Sequence, residues 1–117
     1  MKDRNELLIK LIKNHYKEIL EELEIIHDNF EEYCDNLCVR KAIWLDVMQI
    51  GENVNHFTDE FGRKIGLKDM HGITSIRNYI VHGYVYTNKE TVWNTIHEDL
   101  PRLIERINKV TNFEKWD

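Results

Sequence analysis

Neither glycine nor proline occurs in the first fifty of this chain's 117 residues, and the whole chain has one proline, Pro101. Nothing in that opening stretch interrupts a helix. No apolar run is long enough to span a bilayer, which excludes a helical membrane protein. The start, Met1-Lys2-Asp3-Arg4-Asn5-Glu6, has no apolar stretch of the kind a secretory leader carries, so a cytoplasmic location is expected, with no membrane partner. Only two cysteines are present, Cys34 and Cys38. They are too few for a disulfide scaffold or a closed zinc site, and free thiols are expected. Strand-forming runs are also scarce: Val85-Tyr86-Thr87 is too short to build a sheet. There are no repeats, low-complexity tracts or linkers, so residues 1–117 are expected to form a single domain.

What the chain has in quantity is helical periodicity. Leu8, Ile12, Tyr16, Ile19, Leu23 and Ile26 recur every three or four residues from about Asn5 to His27. Ile43, Val47, Ile50, Val54, Phe57 and Phe61 continue the pattern from about Asp35 to Phe61. Gly51 inside that stretch costs about 1 kcal/mol relative to alanine, which points to a close helix contact there. Gly62 is placed to cap this helix, leaving Gly62 to Lys68 as a basic loop. Ile73, Ile76 and Ile80 mark a short third helix, about Asp69 to His82, whose other side carries His71, Ser75, Asn78 and His82. Thr87-Asn88-Lys89-Glu90 reads as a capping box opening a fourth, to about Phe113, with Val92, Ile96, Leu100, Leu103, Ile107 and Val110 as its stripe. Pro101 must kink or divide that last helix. Amphipathic helices with short connections predict an all-α antiparallel bundle of four to five helices.

The net charge of −5 argues against general nucleic-acid binding, but it is unevenly placed. Residues 1–60 carry −7 and residues 90–117 carry −2, whereas residues 61–89 carry +4. Arg63, Lys64 and Lys68 in that island are candidate phosphate contacts. The densest chemistry lies beside them, in Ser75-Ile76-Arg77-Asn78-Tyr79-Ile80-Val81-His82-Gly83-Tyr84. Arginine presents a planar fork to phosphate oxygens, and histidine can give and take a proton near neutral pH. Cleavage of RNA without a metal needs those functions: a base for the 2′-OH, an acid for the leaving 5′ oxygen, and a cation for the phosphorus centre. On an ideal helix Arg77 and His82 point about 140° apart, whereas Asn78 and His82 share a face. Three arrangements reconcile the pair: Arg77 bends around, the helix unwinds near Gly83, or two chains share the site. With one histidine per chain in the motif, two-histidine chemistry requires a dimer. Trp44 and Trp93 read as packing or dimer residues, and Glu24-x-x-His27 as half of a di-metal motif with no second half, so no metal is expected.

Arg77-x4-His82-x-Tyr84 resembles the signature of the HEPN superfamily, specifically of the HepT-like ribonuclease toxins. Met48-Gln49-Ile50-Gly51-Glu52 is similar to a patch of that family's long second helix. Ile73-x3-Arg77-Asn78-x3-His82-Gly83-Tyr84 is similar to its catalytic helix, and Val92-Trp93-Asn94-Thr95-Ile96-x2-Asp99-Leu100-Pro101-x-Leu103 to its last helix. The specific likeness covers about half the chain, from Met48 to Ile107.

The resemblance implies a homodimer in which the Arg–His motifs of both chains face one cleft. It implies metal-independent endonuclease activity on RNA as part of a toxin–antitoxin pair, with no cofactor. It implies an MNT-type nucleotidyltransferase antitoxin that transfers AMP to the motif tyrosine. Carried over by position, Arg77 and His82 are catalytic, Asn78 supports them, and Tyr84 is the residue modified, with Tyr79 and Tyr86 close enough to compete. The alternative is a catalytically inactive HEPN module that binds a nucleotidyltransferase or a nucleotide.

Overall fold

The first apolar stripe builds α1 (Lys2–Ile25), in a computed structural model that describes residues 2–83 and 87–111. Leu8, Ile12, Ile19, Leu23 and Ile26 are all buried, as their spacing predicts. The helix ends without glycine or proline. His27 and Asp28 adopt positive φ values of 58° and 49°, and the Asp28 N–H donates to the Leu23 carbonyl at 2.7 Å. Aspartate tolerates that left-handed conformation better than most residues, so the turn is hard to see in sequence. It leads into α2 (Phe30–Asp35), a short helix the periodicity does not predict. Asn36 ends α2, and its side chain accepts the Val39 N–H to start α3 (Leu37–Val54).

α1 packs along α3, and α3 packs against α6 (Ile76–His82) on its other side. The second stripe is buried as expected, but the helix does not run on to Phe61. It stops at Val54 and restarts as α4 (Asp59–Lys64), because the Thr58 side chain accepts the Phe61 N–H. Gly62 therefore lies inside α4 and caps nothing. The left-handed turn belongs to Gly66, at φ 69°, before a 3-10 turn at Leu67–Asp69. The third expected helix is divided at Ser75 into α5 (His71–Thr74) and α6, with Ile73, Ile76 and Ile80 all facing the core.

The fourth stripe forms α7 (Lys89–Asn94), a π turn (Thr95–Asp99) and α8 (Leu100–Thr111), in direct succession. The cap is Asn88 rather than Thr87: its side chain accepts the N–H groups of Glu90 and Thr91, while the Thr87 hydroxyl donates to the Gly83 carbonyl. Pro101 neither breaks the helix nor stands alone. It has no N–H and would crowd the carbonyl four residues before it. The preceding turn widens so that the Leu100 N–H reaches Thr95, five residues back, and the helix continues. Phe113, the expected end of this helix, lies outside the described residues. Every regular element described is helical, which makes the fold all-α.

Candidate functional site

Position 51 decides where α6 sits. A Cβ on Gly51 would lie 2.8 Å from Ile76 Cγ2 and 3.3 Å from both Cβ and the backbone nitrogen of Arg77. Only a residue without a side chain lets α3 approach the start of α6 this closely, which is the contact the sequence predicts. With Ile76 and Ile80 in the core, Arg77 and Asn78 face outward, and both are exposed.

The Arg77 guanidinium turns toward α3. Its Nε lies 3.3 Å from Glu52 Oε1, and its Nη1 donates to Asn78 Oδ1 at 3.1 Å. The second oxygen of Glu52 lies 2.9 Å from Nε2 of His56, just beyond the end of α3. Each of these side chains is about half exposed, and ion pairs at such exposure add at most about 1 kcal/mol of stability. The cluster orients Arg77 more than it holds the fold together. Glu52 has no role in the sequence reading beyond its place in a family-like patch, and His56 has none. The available signal is their spacing of four, next to a glycine inside a long amphipathic helix.

His82 is exposed and is the last residue of α6. The Gly83 N–H bonds to the Tyr79 carbonyl at 3.1 Å, so the helix stays wound through His82. Arg77 meanwhile bonds to Glu52 and Asn78 and is not bent toward His82. The Asn78 carbonyl oxygen accepts from Arg77, while its amide N–H groups stay available for another partner. Tyr79 OH accepts the Asn88 N–H at 3.0 Å, tying the end of α6 to the cap of α7. Tyr84 and Tyr86 lie outside the described residues.

Arg63 and Lys64 fall in the last turn of α4 and Lys68 in the 3-10 turn, so the expected basic loop is mostly helical. All three are exposed. Arg63 and Lys68 line a depression whose rim includes Asn55, the neighbour of His56. Asn55 also donates to the Thr74 carbonyl, which anchors this edge to α5. Arg63 and Lys64 border a second depression with Arg106 and Lys109 of α8. Arg106 Nη1 donates to the carbonyl of Gly66 at 2.9 Å. The basic face is thus wider than residues 61–89, because α8 adds two cations that sequence distance conceals.

Away from this face, the aromatic residues pack. Trp44 Nε1–H donates to Tyr33 OH, which donates to the Lys89 carbonyl, both at 2.8 Å. Burial pushes the Tyr33 phenol up to about 12. Trp93 packs on the same phenol, with ring centroids 4.8 Å apart. Cys34 and Cys38 are free thiols. His27 turns Nδ1 to Glu32 at 3.0 Å.

Between α1 and α3, His15, Glu18 and Asp46 bring ligand-type atoms within 4.8 Å of one another. His15 Nδ1 is 2.8 Å from Asp46 Oδ1, and Glu22 adjoins them with a buried Oε1 that makes no hydrogen bond. Burial first, and then hydrogen bonding to Asp46, pushes the Glu22 carboxyl up to about 8. A carboxyl raised in this way holds a proton in the folded chain that the unfolded chain has already lost. Stability therefore falls as pH rises from the ordinary carboxyl range through about 8. Glu22→Gln is expected to melt higher than the parent at pH 9, with the advantage shrinking toward pH 5, as thermal melts at both values will measure.

An all-α chain whose long helix packs through glycine on a short helix exposing Arg-Asn-x3-His has the architecture of the HEPN class. The chain belongs to the family described as Ribonuclease HepT-like, whose model matches residues 12–110. It is 24% identical over 112 residues to "Putative RNase TTE0752" of Caldanaerobacter subterraneus subsp. tengcongensis, covering 92% of this chain and 100% of that one. It is 26% identical over 103 residues to "Probable ribonuclease HepT" of Thermococcus cleftensis, covering 84% and 94%. No solved structure matches significantly.

Proposed function

We propose that this protein is an endoribonuclease that works without a metal, as the toxin of a toxin–antitoxin pair. The observation that carries this reading is Arg77, held exposed by Glu52 and Asn78 on a helix that ends at an exposed histidine, in a HepT-like chain. With Nε and Nη1 occupied, the guanidinium keeps Nη2 for an RNA phosphate. Arg63 and Lys68, in the depression that Asn55 borders, and Lys64 in the adjoining one offer cations to the neighbouring phosphates.

In the reaction, a His82 imidazole takes the proton of the 2′-OH as that oxygen attacks the adjacent phosphorus. The 5′ oxygen leaves and takes a proton from the His82 imidazolium, while Arg77 stabilises the charge on the phosphoryl oxygens. Within one chain the helix stays wound through His82 and Arg77 turns to α3, which disfavours two of the three ways of bringing the pair together. A cleft shared by two copies of the chain is the arrangement that remains, and the homodimer is part of this proposal. So is silencing by an MNT-type nucleotidyltransferase that places AMP on Tyr84. The added phosphate would be drawn to Arg77 and occupy the cleft in place of RNA.

Purified protein is expected to cut RNA in the presence of chelator, leave DNA intact, and yield ends with a cyclic phosphate or 3′-phosphate. Mass analysis after incubation with the partner and ATP reads the AMP on Tyr84. Cleavage that stops in chelator or proceeds on DNA would refute the mechanism.

A further inference from the structure

The contact between α1 and α3 gathers side chains that lie far apart in sequence. His15, Glu18 and Glu22 follow at steps of three and four on one face of α1, and Asp46 meets them from α3. Asp46 stands within hydrogen-bond reach of the carboxyls of both Glu18 and Glu22, and its own side chain is only 8% exposed. Three carboxyls therefore converge on a largely buried point beside one imidazole. Among the described residues no lysine or arginine pairs with any of the three. Glu22 Oε1, closed off from solvent, has no hydrogen-bond partner there either. Carboxyls gathered away from water are costly unless a proton or a cation meets them.

The spacing suits a metal ion. Donors about 2.1 Å from a zinc ion stand about 3.4 Å apart in a tetrahedron. His15 Nδ1 lies 2.8 Å from Asp46 Oδ1 and 3.8 Å from Glu18 Oε1, on either side of that value. An imidazole among carboxylates suits zinc or manganese better than calcium or magnesium, which prefer oxygen alone. We infer that His15, Glu18, Glu22 and Asp46 form a binding site for a divalent first-row transition-metal ion that fastens α1 to α3. His15 Nδ1 gives up its proton when it binds the ion. The ion stands apart from RNA cleavage, because Asp46 faces α1 whereas Gly51 and Glu52 face α6.

The test adds zinc to the full, tag-free chain after treatment with chelator. Calorimetry is expected to read one zinc per chain. Zinc at about a hundredfold excess over its Kd is expected to raise the melting temperature by about 10 °C. His15→Gln still donates to Asp46 but binds metal poorly, and the Glu18 side chain replaced in Glu18→Gln is 55% exposed. Each variant is expected to melt near the parent in chelator and to bind zinc about 10-fold more weakly or worse. Calcium is expected to give no shift. A parent whose melting point ignores zinc would overturn the inference. So would an equal zinc shift in both variants, which would place the ion at other histidines or at the two thiols. A calcium shift as large as that of zinc would overturn it too, since the imidazole would then not be a ligand.

Discussion

His82→Ala is expected to reduce RNA cleavage by about 10²–10⁴-fold with the melting temperature almost unchanged, because proton transfer is lost and, among the described residues, that exposed ring makes no hydrogen bond or ion pair. His82 is exposed at the end of α6, and substitutions at such positions usually shift stability by less than about 0.5 kcal/mol. Arg77→Ala is expected to be equally silent for a different reason, the loss of the cation that meets charge on the phosphoryl oxygens. Its ion pair with Glu52 is half exposed, so its removal costs at most about 1 kcal/mol. Arg77→Lys keeps the charge but not the fork: an ammonium cannot hold Glu52, Asn78 and a phosphate together, and little activity should return. Cleavage rates beside thermal melts check all three. A His82→Ala protein as active as its parent would remove His82 from the mechanism.

Gly51→Ala is expected to damage stability and activity together. On a free helix the change would gain about 1 kcal/mol of propensity. Here the new methyl would overlap Ile76 and press on the backbone of Arg77. Ile76 is 2% exposed and the Arg77 contact includes its backbone nitrogen, so relief is expected to come from moving α6 off α3. Overpacking of this kind costs about 1–3 kcal/mol, enough to exceed the propensity gain. For a chain near this size each kcal/mol lowers the melting point by about 4–8 °C. Because Arg77 sits on the displaced turn while Glu52 stays on α3, the 3.3 Å pair should open and cleavage should fall further than stability alone explains. A melting point equal to or above that of the parent would show that the helices can separate freely.

Much of this architecture is legible before any coordinates. The apolar stripes state which residues face inward, because a buried helix face needs a side chain every three or four positions, and Leu8, Ile50, Ile80 and Leu103 are buried as their spacing requires. Gly51 was readable for the same reason: a helix-weakening residue inside a strong stripe implies a contact worth its cost. The helix ends were less legible. Thr58 restarting a helix, Asn36 serving two, and His27 and Asp28 turning in left-handed conformation depend on single polar side chains and backbone angles. Such residues occur equally well inside loops. Pro101 announced an irregularity, but whether it would break, kink or widen the helix depended on the packing around it.

The sequence alone determined an all-α chain, its inward faces, and the residue types that could handle a phosphate and a proton, since these follow from local spacing and side-chain chemistry. Only the tertiary structure decided which of those residues meet. Glu52, His56 and Arg77 are brought together by two helices that touch at a missing side chain, and Arg106 joins the basic face from forty residues away. Such contacts are products of how helices pack on one another, and no periodicity within a single helix encodes them.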